Sequence, residues 1–441
     1  MKPEHKEYIL NNAEKKKPVL LSVILIIALG FAVYANSLNN EFFWDDEALV
    51  TGNKYIKSWS YLPQIFTNTL GAGTDEGWNS YRPLQSLTYM IDYSLWKLDP
   101  RGYHITNIFL HISAALGIYW LINIIFGKNL LALLTGIFFV IHPVHIEAVT
   151  YISGRSDSLA LLFTLLSFIL YLKSPPSKRV GSKYALLLLS YSLALLSRES
   201  SLILPVLILV YHYSFKTQLK GKEFFSVVSI ASIYILIRLT VLKALLATAP
   251  SAFPTTLLQR LPSFFASVAS YIRLLFFPFD LHMEYGMVLF SWNDPKTITG
   301  IALFFILLIC AFKKRERSPL ISFSILWFFV SLLPVSNLFP INAYMAEHWL
   351  YLPSIGFFLI SAEIVHSLYT AKNLKIPAII IIASLSGFYS FLTVRQNAYW
   401  SDPISFYERT LKFAPYSSRV HSNLGNEFNS VGQREKAIAA Y

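Results

Sequence analysis

Long apolar runs separated by short polar connections dominate the chain. They fall at roughly 18–38, 105–126, 130–150, 157–172, 184–197, 200–214, 223–242, 297–312, 319–335, 349–369 and 376–395. A bilayer core is crossed by about 20 apolar helical residues, so the pattern predicts an all-α polytopic membrane protein of about eleven transmembrane helices. The run from Ser263 to Phe279 is different, because it carries Arg273 and ends at Asp280. Counted as a span, it would send Lys313, Lys314 and Arg315 to the outer face, so it is expected to be re-entrant or interfacial. Two segments are more than connectors. Asn39 to His104 is a long loop rich in rings, among them Trp44, Tyr55, Trp59, Tyr61, Trp78, Tyr81 and Trp96. Loops of that length usually carry function or structure of their own, although some of these rings fit an interfacial aromatic belt. Ser401 to Tyr441 is polar, and Leu424, Gly425, Phe428, Ala437 and Tyr441 have the spacing of a tetratricopeptide unit. The expected division is a membrane domain over 1–400, with 39–104 as its first outward loop, and a partial repeat over 401–441. One and a half repeat units bury too little to stand alone, so this segment is expected to be a truncated product or a stub resting on the loops.

Composition agrees with a membrane protein. Of 441 residues, 54% are hydrophobic and only 14% charged, with mean hydropathy +0.49; soluble domains carry about 25% charged residues. Cys310 is the sole cysteine, which excludes an internal disulfide and a cysteine zinc cluster. The net charge of +12 does not signal nucleic acid. The basic residues fall in clusters between alternate runs: Lys128; Lys173, Lys178, Arg179 and Lys183; Lys216, Lys220 and Lys222; Lys313, Lys314, Arg315 and Arg317; Lys372 and Lys375. Most acids fall in the opposite connections, including Asp45, Asp46, Glu47, Asp75, Glu76, Asp99, Asp280, Glu284, Asp294 and Glu347. The positive-inside rule then places the N-terminus in the cytoplasm, and the long loop and C-terminus outside. Pro18 to Leu38 lacks a small-residue cleavage site and is expected to be a retained first helix.

Charged residues gather at outward helix ends. Asp45 and Asp46 follow Phe42-Phe43-Trp44, just past the first span. One aspartate there could simply cap a helix; two adjacent carboxylates suggest a site that removes a proton or meets positive charge. A second string runs His142-Pro143-Val144-His145-Ile146-Glu147, then Ser153-Gly154-Arg155-Ser156-Asp157. Arg155 could pair internally with Glu147, or grip a phosphate through its planar fork while His142 and His145 position the donor. Two histidines three apart match a metal spacing, but Pro143 interrupts the helix and no third ligand is evident, so no metal is expected. Arg198-Glu199 and Glu347-His348 stand at two further outward ends, and Arg82 lies in the long loop. Pairing or solvation explains each alone; together they suggest an enzyme working on a charged lipid headgroup. A transporter would more often place such groups on broken helices near the midplane, within inverted repeats.

Phe43-Trp44-Asp45-Asp46, Ser80-Tyr81-Arg82-Pro83-Leu84 with Leu87-Thr88-Tyr89, His104 to His111, His142 to Val149, Gly154-Arg155-Ser156-Asp157, and Glu347 with Leu350-Tyr351-Leu352-Pro353-Ser354 together resemble the transmembrane-and-tetratricopeptide O-mannosyltransferases and their prokaryotic relatives. These belong to the GT-C superfamily of glycosyltransferases. The resemblance implies a GT-C-like bundle and a polyprenyl-phosphate-linked sugar donor, with inverting transfer to a hydroxyl outside the cytoplasm and repeats that present or recognise the acceptor. It implies Asp45 or Asp46 as general base and Arg155 and Arg198 near the donor phosphate; Arg82, His142 and His145 are further candidates for binding the donor. Glu147, Asp157, Glu199, Glu347 and His348 would support them, with no cofactor beyond the donor. Two positions depart from the pattern: Arg198 stands where lysine is expected before glutamate, and His348 where arginine is expected after Glu347. Partners implied are membrane lipid, the lipid-linked sugar and an acceptor protein or glycan. Transfer to a lipid or surface glycan, or a non-catalytic scaffold or transporter, are the other readings. The single cysteine fits a bacterial plasma membrane.

The charge pattern makes a topological prediction. A cysteine at Asn79 should be labelled by an impermeant reagent from outside, and one at Lys313 only from the cytoplasmic side. Outside labelling at 313 would overturn the eleven-span arrangement.

Overall fold

The computed structural model describes residues 3–74, 80–174, 181–240, 255–338 and 340–441. Asp75, Glu76, Trp78 and Asn79, Lys178 and Arg179, and the last residues of the expected span 223–242 lie outside the described residues. Among the described residues every regular element is helical. Six helices are long and apolar enough to cross a membrane: Pro18–Asn39, Pro100–Phe126, Ile152–Lys173, Gly221–Thr240, Pro295–Lys314 and Lys375–Ala398. Four shorter apolar helices, Ser182–Ser197, Glu199–Phe215, Pro319–Val335 and Ser354–Thr370, fall on the remaining short runs. The protein is therefore a multi-pass helical membrane protein. The final span of long helix, Lys375–Ala398, is 22% buried over its most apolar window against 61% for Pro100–Phe126. The first lies at the rim of the bundle and the second at its centre, which is where a polar site can be shielded from lipid.

The run at 130–150 is not one helix. Asn129–Ile141 stops at His142, and the chain turns by 56° into Pro143–Val149. Proline at the first position of the new turn removes an amide and forces the break. A break buried inside the bundle strands carbonyls, which must find donors within the protein. They do. His145 Nδ1 donates to Phe139 O at 2.9 Å, His111 Nε2 to Val140 O at 3.1 Å, and Thr393 Oγ1 to Ile141 O at 2.6 Å. The remaining ring nitrogens are engaged as well: His145 Nε2 meets Ser354 Oγ at 3.0 Å and His111 Nδ1 meets the Tyr351 hydroxyl at 2.7 Å. His142 accepts from Val144 N through Nδ1 at 3.2 Å and donates through Nε2 to Leu275 O at 3.1 Å. All three rings are fully buried.

The segment expected to be re-entrant or interfacial is a helix, Leu257–Phe276, opened by a Thr256–Gln259 capping box. It is not among the helices long and apolar enough to span. It lies so close to Pro295–Lys314 that a Cβ on Gly300 would meet Phe265 O at 1.8 Å, the small-residue contact by which membrane helices approach. The C-terminal segment forms helices Pro403–Phe413, Ser418–Ser430 and Arg434–Ala440. The Asp402 and Ser417 side chains cap the first two. Leu424, Phe428 and Ala437 are buried between them.

His145→Leu should leave the Phe139 carbonyl without its donor. The expected cost is about 1–3 kcal/mol, seen as a lower midpoint in detergent thermal denaturation. Unchanged stability with weakened donor binding would return His145 to the binding site.

Candidate functional site

Ile146–Val149 and Ile152–Gly154 form a buried hairpin between the break and the helix Arg155–Lys173. Its carbonyls are also answered by side chains. Asn107 Nδ2 donates to Val149 O at 3.0 Å and to Tyr151 O at 3.2 Å. The Tyr89 hydroxyl donates to Ile152 O at 3.1 Å, and Gln85 Nε2 to Ser153 O at 2.9 Å. Gly154 is needed for the tight fold-back, since a Cβ there would lie 2.3 Å from Glu147 O. The hairpin thus presents Ser153 in a fixed place. Ser153 N donates to Asp46 Oδ1 at 2.8 Å, and the Ser153 hydroxyl makes a second, short bond to the same oxygen. Asp46 is buried, and burial pushes its carboxyl up to about 8, the charge of Asp45 adding to the rise and the Ser153 bonds opposing it. Asp45 is only half-buried, and its backbone amide donates to the Tyr151 hydroxyl at 3.1 Å.

One helical turn beyond Ser153 lies a cluster of arginines. Arg82 forks onto Glu199 at 3.0 and 3.4 Å and reaches Ser156 Oγ at 3.3 Å. Arg198 pairs with Asp157 and also reaches Ser156 Oγ at 3.3 Å. Arg238, from the end of Gly221–Thr240, comes within 3.8 Å of Glu199 and donates to the Tyr234 hydroxyl at 3.2 Å. Its Nε is buried with no hydrogen-bond partner among the described residues. Three guanidinium groups face two carboxylates here, an excess of positive charge that suits an anion.

Arg155 is elsewhere. It is fully buried and pairs with Asp92 at 2.5 Å. Nε donates to Asn107 Oδ1 at 2.6 Å, and the other nitrogens reach Tyr103 O at 3.0 Å and Thr88 Oγ1 at 3.3 Å. Its guanidinium lies 4.7 Å from the Tyr89 ring centroid. The group is directed at these buried protein groups, and its carboxylate partner is Asp92, not Glu147. His142 and His145 likewise have both ring nitrogens engaged by protein groups at the break, on Leu275 and on Ser354. Glu147 accepts from His348, at the backbone amide at 2.9 Å and at the ring. Glu347 accepts from His282 N at 2.6 Å and the Tyr285 hydroxyl at 2.7 Å, and burial followed by the charge of Glu147 raises its pKa. This acidic clamp ties the hairpin to the turn Glu347–Leu350.

Asp92, Asn107, Gln85 and Arg238 were not singled out in the sequence. An acid within the apolar face of Pro83–Trp96 was a signal for Asp92, because such a charge needs a buried partner. Arg238 lies inside the run 223–242, where a charge was the same kind of signal. Among the described residues no three histidine, cysteine, aspartate or glutamate side chains converge as a metal site.

A multi-pass helical protein with a carboxylate pair and an arginine cluster at one end of the bundle is the class this geometry defines. No family model matches the sequence. Protein O-mannosyl-transferase F38B6.6 of Caenorhabditis elegans is 28% identical over 437 residues, covering 95% of this chain and 62% of its own length. Protein O-mannosyl-transferase tmtc2 of Xenopus laevis is 26% identical, covering 96% and 62%, and TMTC3 of Homo sapiens 25%, covering 95% and 50%. The chain is a relative of these protein O-mannosyl-transferases and spans half to three-fifths of their length. ArnT from Cupriavidus metallidurans, solved bound to undecaprenyl phosphate, aligns over 95% of this chain and 76% of its own with 11% identity and a TM-score of 0.44, a likeness too distant to carry anything onto this chain.

The raised Asp46 pKa has a stability consequence. Below the ordinary value of 3.8 both folded and unfolded chains hold the proton; above it the unfolded chain sheds it first, so stability falls as pH rises toward about 8. Asp46→Asn is neutral throughout and keeps an acceptor for Ser153. Its thermal midpoint should therefore gain on the parent's as pH rises across that window; parallel pH profiles would show that Asp46 is ionised in the native state.

Proposed function

We propose that the chain is an integral-membrane glycosyltransferase that moves a sugar, mannose-like, from a polyprenyl-phosphate donor to an acceptor hydroxyl on protein, at the extracytoplasmic face. The observation that carries this reading is the stretch Ser153–Asp157. One end binds Asp46, and one turn later Ser156 and Asp157 bind Arg82 and Arg198. A helical turn rises about 5.4 Å, so a carboxylate site and a cationic site sit side by side. The kinship with protein O-mannosyl-transferases supports the reaction class and the acceptor.

Asp45 is the base in this scheme. Asp46 is buried, and burial raises its carboxyl to about 8, whereas Asp45 is the more accessible of the pair. Asp45 takes the proton of the acceptor hydroxyl as its oxygen attacks the anomeric carbon. The bond from that carbon to the donor phosphate breaks in the same displacement, inverting the centre. The leaving polyprenyl phosphate gains charge as it departs, and Arg82, Arg198 and Arg238 stabilise that charge. Asp157 and Glu199 hold the arginines in place and keep the empty cluster from repelling itself.

Asp45→Asn should lower transfer from polyprenyl-phosphate mannose to serine- and threonine-containing peptides by about 10²–10⁴-fold, with donor binding kept. Arg198→Ala and Arg238→Ala should instead weaken donor binding. Transfer by Asp45→Asn at the parent rate would remove the base assignment. Undiminished donor binding in both arginine variants would remove the phosphate site.

A further inference from the structure

The Asp45–Asp46 loop is gripped from two sides. The buried hairpin holds Asp46; the C-terminal helices hold Trp44. The Trp44 backbone is left-handed, with φ of 58°, a conformation that a bulky L residue keeps only when its surroundings impose it. Its ring lies 5.7 Å from Tyr407 and 6.2 Å from Phe406, on helix Pro403–Phe413. The neighbouring Phe43 packs 4.8 Å from Phe406. Over the Trp44 ring, 4.8 Å from its centroid, lies the guanidinium of Arg419 on the next helix. Arg419 is itself fixed, with Nε 3.1 Å from Glu284 Oε2 and a second, short bond to that oxygen. Glu284 is buried and comes from the extended chain that follows Leu257–Phe276. It also lines a cavity of about 950 Å³ whose wall includes Tyr285, Tyr344, the helix end Phe413 and the interhelix residues 414–417.

A surface ion pair alone is worth little. Here the carboxylate is buried, and the cation sits on the ring whose strained backbone directly precedes Asp45. We propose that Arg419 and Glu284 are positioning residues for the transfer reaction: they clamp Trp44 in its left-handed turn and so set the direction of Asp45. The C-terminal helices are then part of the catalytic frame, and the cavity beside Glu284 lies where an acceptor held by them could reach that frame. The inference rests on Asp45 as the base.

The test uses the full chain in lipid nanodiscs. Transfer from polyprenyl-phosphate mannose is measured alongside backbone amide exchange of residues 41–48. Arg419→Ala and Glu284→Gln should each lower kcat by about 10- to 100-fold, the scale of a misplaced catalytic group. KM for the donor should stay unchanged, and amide exchange at 41–48 should become faster. Arg419→Lys, which keeps a cation over the Trp44 ring, should retain more of both readouts than Arg419→Ala, which separates positioning from loss of fold. Parent-like kcat in Arg419→Ala and Glu284→Gln overturns the proposal, whether or not exchange changes; so does a loss of kcat with exchange unaltered. Asp45→Asn in the same assay distinguishes the two failures: parent-rate transfer there removes the base itself, while parent-rate transfer confined to the Arg419 and Glu284 variants removes only the clamp.

Discussion

The break at Pro143 is the constraint on which the rest depends. It strands the carbonyls of Phe139, Val140 and Ile141 in the buried interior of the bundle, where water cannot answer them. His145, His111 and Thr393 answer instead, from three different helices. The same logic extends through the hairpin, where Asn107, Tyr89 and Gln85 take the next carbonyls. Arg155 then locks Asn107 to Asp92. A residue set that looks catalytic by composition is in large part backbone accounting. It allows an irregular, rigid turn to exist inside a helical bundle.

That turn brings chemistry together because it is short and sharply folded. Ser153 faces the aspartate loop and Ser156 faces the arginines, so one helix start links two sites of opposite character. The polar groups are buried with partners: Arg155 with Asp92, Glu147 with the amide and ring of His348, Arg198 with Asp157. Isolated charges would be costly here, while paired charges in excellent geometry can be tolerated. The Arg82, Arg198 and Arg238 cluster departs from that balance by retaining an excess of positive charge. A preorganised positive site loses little in reorganisation when an anion arrives or a leaving group gains charge.

The C-terminal helices extend the same principle outward. Their first two members expose a polar surface but bury Phe406, Tyr407 and Val420, and the first packs against Phe43 and Trp44. Packing of aromatic faces fixes the loop that a long flexible connection would otherwise leave free to sample many conformations.

Hydropathy and charge spacing were enough to determine a multi-pass helical membrane protein, because burial in lipid is dictated residue by residue along the chain. The strings around Asp45, His142 and Glu347 were legible as sites for the same reason: polar groups are rare in such runs. Which of them serves the backbone and which faces a site was decided only by tertiary structure. Arg155 and Arg198 look alike in sequence, yet one meets Asp92, Asn107 and Tyr103 and is sealed, while the other joins Arg82 and Arg238 at a charged cluster. The helix Pro83–Trp96 supplies the partner in the first case, and the far end of Gly221–Thr240 supplies the neighbour in the second. A charge's role follows from its partners, and here those partners are set by packing between distant helices, which local spacing does not encode.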